Sequence, residues 1–281
     1  MTPITFFERW GNAFWGLLGS ESTAFAWVLG AFALCAIVEF VFPAEPGQRW
    51  AGRARNLVYM AVYVCFGLGA LSLWYAGISS DPTPRHHAQL VENLYLLPAY
   101  LFAGDFAYYW YHRAQHRYRP LWAVHELHHA DTELNITTSY RTFWLEAPVQ
   151  SVVVGGPVVW AFGIPGAHFA LSATILTRSV LLLAHCNFRW SFGRLTPLLC
   201  GPQWHRIHHS RLAQHQDRNF AQVFPIIDWL FGTYYAPARD EYPPTGTDGL
   251  RADESIWRAQ LRPLVLWKDQ IAGVFGRRAV P

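Results

Sequence analysis

Charge is what this chain has least of. Only 15% of its 281 residues are Asp, Glu, Lys or Arg, against roughly 25% in an ordinary soluble domain. Lys268 is the sole lysine, so arginine carries nearly all the positive charge. A net charge of +3, with no basic run longer than Arg277–Arg278, gives no ground for a nucleic-acid partner. Cysteine is scarce too. Cys35, Cys65, Cys186 and Cys200 form no C-x-x-C pair, which excludes a disulfide framework and a cysteine zinc knot. They read as packing residues, with thiolate ligation left open only for Cys186 and Cys200, which lie near histidines. No serine nucleophile elbow, phosphate loop or dinucleotide glycine fingerprint occurs. No cleavable signal peptide is expected, because Met1–Ser20 holds Glu8 and Arg9 and lacks a basic start before an apolar core.

Apolar residues take up what charge leaves: 52% of the chain is hydrophobic and 16% aromatic. Phe6–Leu18 reads as a surface-lying segment with Trp10, Phe14 and Trp15 at an interface. Phe25–Phe42, Leu57–Ile78 and Leu94–Tyr111 follow as apolar runs, then Pro148–Ile164 and Gly166–Ala184 as a full or re-entrant hairpin. The expectation is an all-α integral membrane protein of about four to five transmembrane or re-entrant helices under a cytoplasmic helical cap. Arg49, Arg53 and Arg55 place the loop between the first two spans in the cytoplasm. Counting forward, the histidines described next share that face. Residues 1–93 form an N-terminal membrane region with two spans, 94–235 a catalytic region and 236–281 a C-terminal cap segment. Glu254–Phe275 repeats Trp257, Leu261, Leu264, Trp267, Ile271 and Val274 at helical steps, with a kink at Pro263. It is expected to pack on the cap, with membrane-surface docking aided by Arg277 and Arg278 as the alternative.

Histidine is the concentrated resource. His112 and His116 stand four apart; His125, His128 and His129 read H-E-L-H-H; His205, His208 and His209 read H-R-I-H-H; His185 opens H-x-N. At steps of three and four, side chains on a helix are neighbours, so each cluster should present one face of imidazoles. Nine nitrogen donors are too many for one ion and suit two with open positions. Imidazole fits zinc, copper, iron and nickel alike. H-E-L-H-H puts histidine at the wrong offset for a zincin protease. His86, His87 and His168 read as interfacial or hydrogen-bonded residues, and His215, six residues after the third cluster, as either a surface residue or one that supports a ligand from behind. A non-catalytic metal carrier or transporter and an integral haem protein stand as alternatives.

Asp105 to His116, His125 to His129 with Asn135, Thr138 and Arg141, and His205 to His209 with Asp217-Arg-Asn219-Phe220 and Asp228 to Thr233 resemble the boxes of the fatty acid hydroxylase/sterol desaturase superfamily. The pattern leans toward its alkylglycerol monooxygenase-like or bacterial sterol-desaturase-like branch. The resemblance implies a membrane di-iron monooxygenase or desaturase that uses two iron ions, O2 and an external electron donor on a lipid. The lipid would be of fatty acyl, sterol or alkyl-ether type. Its ligands would be His112, His116, His125, His128, His129, His185, His205, His208 and His209. Asp217 and Asn219 would orient imidazoles, and Glu146 and Asp105 could do the same. The electrons would come from a separate protein, since no haem segment of the cytochrome b5 kind is fused. The setting would be a bacterial inner membrane with the boxes facing the cytoplasm. Phe143 stands where many members carry a histidine. The lipid would reach the metals past Trp110, Tyr111, Phe143 and Trp144.

Overall fold

The computed structural model describes residues 5–78 and 90–276; His86, His87, Arg277 and Arg278 lie outside them. Regular secondary structure among the described residues is helical, apart from a two-residue parallel pairing of β1 (Leu90–Val91) with β2 (Ile164–Pro165) and two isolated bridges. Helix α1, Phe6–Val41, starts at a capping box in which the Thr5 hydroxyl accepts from the Glu8 amide and the Glu8 carboxylate accepts from the Thr5 amide. It bends by 44° between Ala24 and Ala26. The surface segment and first span expected separately are thus two halves of one helix.

Helix α2 (Trp50–Val62), a π-helical turn (Tyr63–Gly67) and α3 (Leu68–Ile78) follow in line. The turn sits at a close approach: a Cβ on Gly67 would lie 2.8 Å from the Trp144 carbonyl oxygen, so only glycine fits. Trp50–Leu73 is the one described helix long and apolar enough to cross a membrane, and the two halves of α1 taken together make a second. The other expected spans fall short of that test. Helix α4 (Leu97–Arg117) carries Asp105 and ends in histidine and arginine. Pro148–Ile164 is divided among α6 (Glu146–Gln150), a π turn (Ser151–Gly155) and α7 (Gly156–Phe162), which stops at Gly163 with φ 93°. In α8 (Ala167–Ala184) the apolar stretch His168–Ala184 is short.

Large apolar side chains nonetheless face outward on these elements, among them Trp27, Phe40, Trp50, Phe66 and Trp160, the last 89% exposed. An apolar exterior of this extent marks contact with something other than water. The arginines read as an orientation signal are also struts. Arg49 pairs with Glu133 at 2.9 Å and Arg53 with buried Glu39 at 2.6 Å, while Arg55 donates to the Glu254 carbonyl. Glu39 also accepts from the Ile136 and Asn187 amides, each at 2.7 Å. One carboxylate therefore ties the end of α1 to the segments that follow α8 and the helix ending at His129.

The remaining described helices are α5 (Arg119–His129), α9 (Pro202–His208), α10 (Ile226–Leu230) and α11 (Ile256–Gly276). Pro263 lies inside α11, as the sequence requires. Ala259, Gln260 and Pro263 form its inward face, while Trp257, Leu261, Leu264 and Ile271 of the expected packing stripe point out. Beneath the histidines Tyr109, Ala184, Cys200, Trp204, Phe220 and Ile227 make one buried cluster. It fixes α4, α8 and α9 against the 220s loop.

Candidate metal centre

Each histidine cluster is delivered by the end of a helix. Proline occupies the first turn of α4, α5 and α9 (Pro98, Pro120 and Pro202), where its missing N–H costs nothing. α5 and α9 then run only far enough to present their imidazoles. His185 caps the C-terminus of α8.

The nine histidines assemble into two groups. His112, His116, His125, His129 and His208 offer nitrogens within 4.8 Å of one another, and so do His128, His185, His205 and His209. Two of the three clusters are split. His125 and His129 of α5 join the first group while His128 joins the second; His205 and His209 join the second while His208 crosses to the first. The expectation of a single face holds for His112 and His116, which both join the first group, and is corrected for the two H-x-x-H-H clusters. Successive helical residues diverge by about 100°, so an H-x-x-H-H run straddles two faces. Both groups therefore share both helices.

Four imidazoles are oriented by backbone carbonyls. His112 Nδ1 donates to Phe220 O at 2.7 Å, His128 to Arg141 O at 3.3 Å, His185 to Leu181 O at 2.8 Å and His208 to Arg218 O at 2.9 Å. Burial holds all nine imidazoles below their ordinary pKa, His185 and His208 at about 4. A neutral ring that donates through Nδ1 carries a lone pair on Nε2. His128 and His185 are both in this state, yet their Nε2 atoms stand 3.1 Å apart. Two facing lone pairs repel unless a cation lies between them. The pairs His112–His125 at 2.9 Å and His125–His129, His185–His205 and His205–His209 at 3.1 Å are spaced alike. Ligands held at 2.1 Å and 90° apart around an ion lie about 3.0 Å from each other. Buried His116 Nε2 and His208 Nε2 have no hydrogen-bond partner. The donor set thus fits a metal pair.

The residues expected to orient imidazoles behave otherwise. Asp217 reaches one ring, its carboxylate 3.8 Å from His116 Nδ1 and outside hydrogen-bond range. Asn219 reaches none. Its side chain donates to the Trp204 and Tyr235 carbonyls and accepts from the Tyr235 amide, and it locks a backbone with φ 61°. Its neighbours Arg218 and Phe220 supply the carbonyls that His208 and His112 use, so it acts through the turn. Asp105 accepts from the Gln222, Val223 and Phe224 amides at 2.6–2.9 Å. Asp228 accepts from the Phe220 and Ala221 amides, each at 2.7 Å. Glu146 also touches no histidine. Its Oε1 accepts from Gln115 at 2.7 Å, Gln150 at 3.1 Å and Tyr111 at 3.4 Å.

The sequence reading missed the carbonyl acceptors, which leave no mark in side-chain identity, and the Asp105 and Asp228 tethers. It also missed the work of Arg141, which donates to Leu127 O and Ala252 O from a buried site. His215 sits between Ser210 and Glu241, away from both groups, and His168 is exposed on α8. Glu126 of H-E-L-H-H pairs with Arg262 at 2.9 Å. Cys186 and Cys200 are buried and belong to neither group. Phe143 is buried against Trp267, so an apolar contact with α11 stands where relatives are expected to carry histidine.

A cavity of about 240 Å³ opens beside both groups, lined by His125 and His128. Trp110, Tyr111, Phe143 and Trp144, the access route expected from sequence, do not line it. A second, polar opening reaches the first group from another side, past His116, His129, His208 and Asp217.

Residues 97–233 match the model of the fatty acid hydroxylase family. Alkylglycerol monooxygenase of Homo sapiens is 33% identical over 137 residues, covering 47% of this chain and 29% of that protein. Ornithine lipid hydroxylase OlsE of Rhizobium tropici is 29% identical over 231 residues, 78% of this chain and 68% of that protein. Methylsterol monooxygenase 2-2 of Arabidopsis thaliana is 30% identical over 160 residues, 55% of this chain and 56% of that protein. The chain thus spans under a third of the human alkylglycerol monooxygenase it matches. No solved structure matches it.

Proposed function

We propose that this chain, whose residues 97–233 match the model of the fatty acid hydroxylase family, is an O2-dependent di-iron oxidoreductase that hydroxylates or desaturates a membrane lipid. The observation that carries the reading is the pair of Nε2 lone pairs of His128 and His185, 3.1 Å apart in a buried site. Hydroxylation converts R–H, O2, two electrons and two protons into R–OH and water. Desaturation spends the same O2 and electrons to take two hydrogens from neighbouring carbons, releasing two waters. The electrons come from a separate electron-transfer protein. Bound iron would supply the redox chemistry that activates O2.

All nine histidines are assigned as ligands, five to one ion and four to the other. Five donors exceed the four that zinc takes in structural sites, and nitrogen spacings near 3.0 Å suit angles of about 90° better than a tetrahedron. Both points argue against zinc, and the match to the fatty acid hydroxylase family supports iron. The chain's own residues fix geometry and exclude water. Carbonyls of Phe220, Arg218, Arg141 and Leu181 set ring tautomers, Asn219 holds the turn that carries two of them, and Asp217 faces His116 on the polar side.

Residues 1–93 and 236–281 frame the catalytic region 94–235, with the apolar helices in the bilayer. Arg49, Arg53 and Arg55 support a cytoplasmic orientation of the histidines in a bacterial inner membrane. The test is lipid analysis of cells with and without the chain, grown under 18O2. A lipid gaining one 18O atom supports hydroxylation, and a new double bond supports desaturation. Identical lipid profiles, with purified protein inert toward O2 under every reductant, contradict the reading.

A further inference from the structure

The cavity beside the histidines is divided in character. Its wall near His125 and His128 carries Ser139, Thr142, Glu146, Gln150 and Gln222. Glu146 is buried, and the three hydrogen bonds it accepts fall on one oxygen, from Gln115, Gln150 and Tyr111. They hold its carboxyl in place without engaging a metal ligand. Ser139 Oγ is buried and has no hydrogen-bond partner. A neighbouring chamber of about 210 Å³ is lined by Leu18, Val28, Val64 and Leu68, from α1, α3 and the π turn between α2 and α3. The two chambers share Met60, Tyr63, Tyr140 and Arg178.

A plain hydrocarbon reaching the histidines would leave Ser139 Oγ unpaired and set nothing polar against the second oxygen of Glu146, which accepts no hydrogen bond among the described residues. Each buried polar group left without a partner costs about 1–3 kcal/mol, which is why a site built for hydrogen bonds rejects ligands that lack them. Besides His125 and His128 the cavity is lined by one acid and one base, Glu146 and Arg178, so a neutral group matches it better than an ion.

We propose that the substrate is a hydrocarbon chain bearing a neutral hydrogen-bonding group (hydroxyl, ester or amide) that Glu146 and Gln150 hold in the chamber facing His125 and His128. The carbon oxidised then lies a few bonds from that group. The rest of the chain passes Met60 and Tyr63 into the apolar chamber beside Val64 and Leu68. Glu146 is thereby a substrate-positioning residue and not an orienter of imidazole. This assignment rests on the oxygenase reading and uses the O2 and two-electron donor already named.

Binding decides it without turnover. Radiolabelled 1-hexadecanol and hexadecane are titrated into the metal-loaded protein in lipid nanodiscs, without reductant. The alcohol is expected to bind one site at least about tenfold more tightly than the alkane. Glu146→Leu should remove most of that preference while the metal content stays constant. Should that variant misfold, Gln150→Leu reports on the same wall. Val64→Trp fills the apolar chamber and should shift the favoured alcohol to shorter chains. Equal affinities for alcohol and alkane, or a preference untouched by Glu146→Leu and Gln150→Leu, overturn the assignment. With reductant and O2, hydroxyl groups near the polar end are expected and mid-chain products overturn it. Alcohol selectivity without any O2 uptake counts against the oxygenase reading and leaves the polar-group assignment supported.

Discussion

His128 and His185, brought together from α5 and the end of α8, point unprotonated Nε2 atoms at each other across 3.1 Å. Each ring has spent its only proton on a carbonyl, of Arg141 and Leu181 respectively. No hydrogen bond can link the two lone pairs, and only a positive charge relieves them. His128→Ala or His185→Ala should therefore lower bound metal from two ions per chain toward one, because the first group keeps all five of its donors. Elemental analysis of the purified variants reads this directly. Full retention of both ions would argue that the second group is not a ligand set.

The 220s loop gives the matching prediction for the first group. Asp105 holds three amides of this loop and Asp228 two, while Phe220 O and Arg218 O receive His112 and His208. Asp228→Asn keeps the shape but weakens the acceptor. Metal affinity should fall about 10- to 100-fold, as for other residues that support ligands from behind. Competition with a chelator measures it. Asp105→Ala strands three amides and should also lower stability by at least about 2 kcal/mol.

Acid should loosen the centre. Burial lowers the imidazoles below 6.5, His185 and His208 to about 4. Between those values the unfolded chain binds more protons than the folded one. Stability is therefore present above pH 6.5 and lost as pH falls toward 4, at about 1.4 kcal/mol per ring per pH unit. Bound metal, which also needs neutral imidazole, adds to the same trend. Melting temperatures at pH 8, 6.5 and 5 should decline in that order; a flat series contradicts it.

Glu126 supplies a negative control. It stands where a zincin protease carries its general base, yet it binds Arg262 of α11 at 2.9 Å. Glu126→Gln should leave metal content and lipid oxidation unchanged and lower the melting temperature slightly. Loss of turnover with metal intact would assign Glu126 a chemical role.

How much of this was written in the sequence differs from residue to residue. The nine histidines were legible because imidazoles repeated at three- and four-residue steps crowd together on a helix, and a metal is what such crowding serves. Their division was not, since H-x-x-H-H looks like one unit until a second helix shows that His128 and His208 change partners. The carbonyls that orient the rings are backbone atoms, so no side chain announces them. Asn219 and Glu146 were singled out for the right neighbourhood but the wrong contact: one holds a turn, the other a cavity wall. Pro148–Ile164, whose glycines and proline suggested a full or re-entrant hairpin, lies in a helical run from Glu146 to Phe162 with a π turn at Ser151–Gly155, so Gly155, Gly156 and Pro157 do not end it and only Gly163 does.

The central claim is that two metal ions, and iron in particular, occupy the two histidine groups. Metal stoichiometry of the full chain, purified from membranes without chelators and read by mass spectrometry against protein concentration, tests it most directly. Close to two iron atoms per chain are expected, with zinc well below one. A single zinc per chain, or no metal above background, would contradict it.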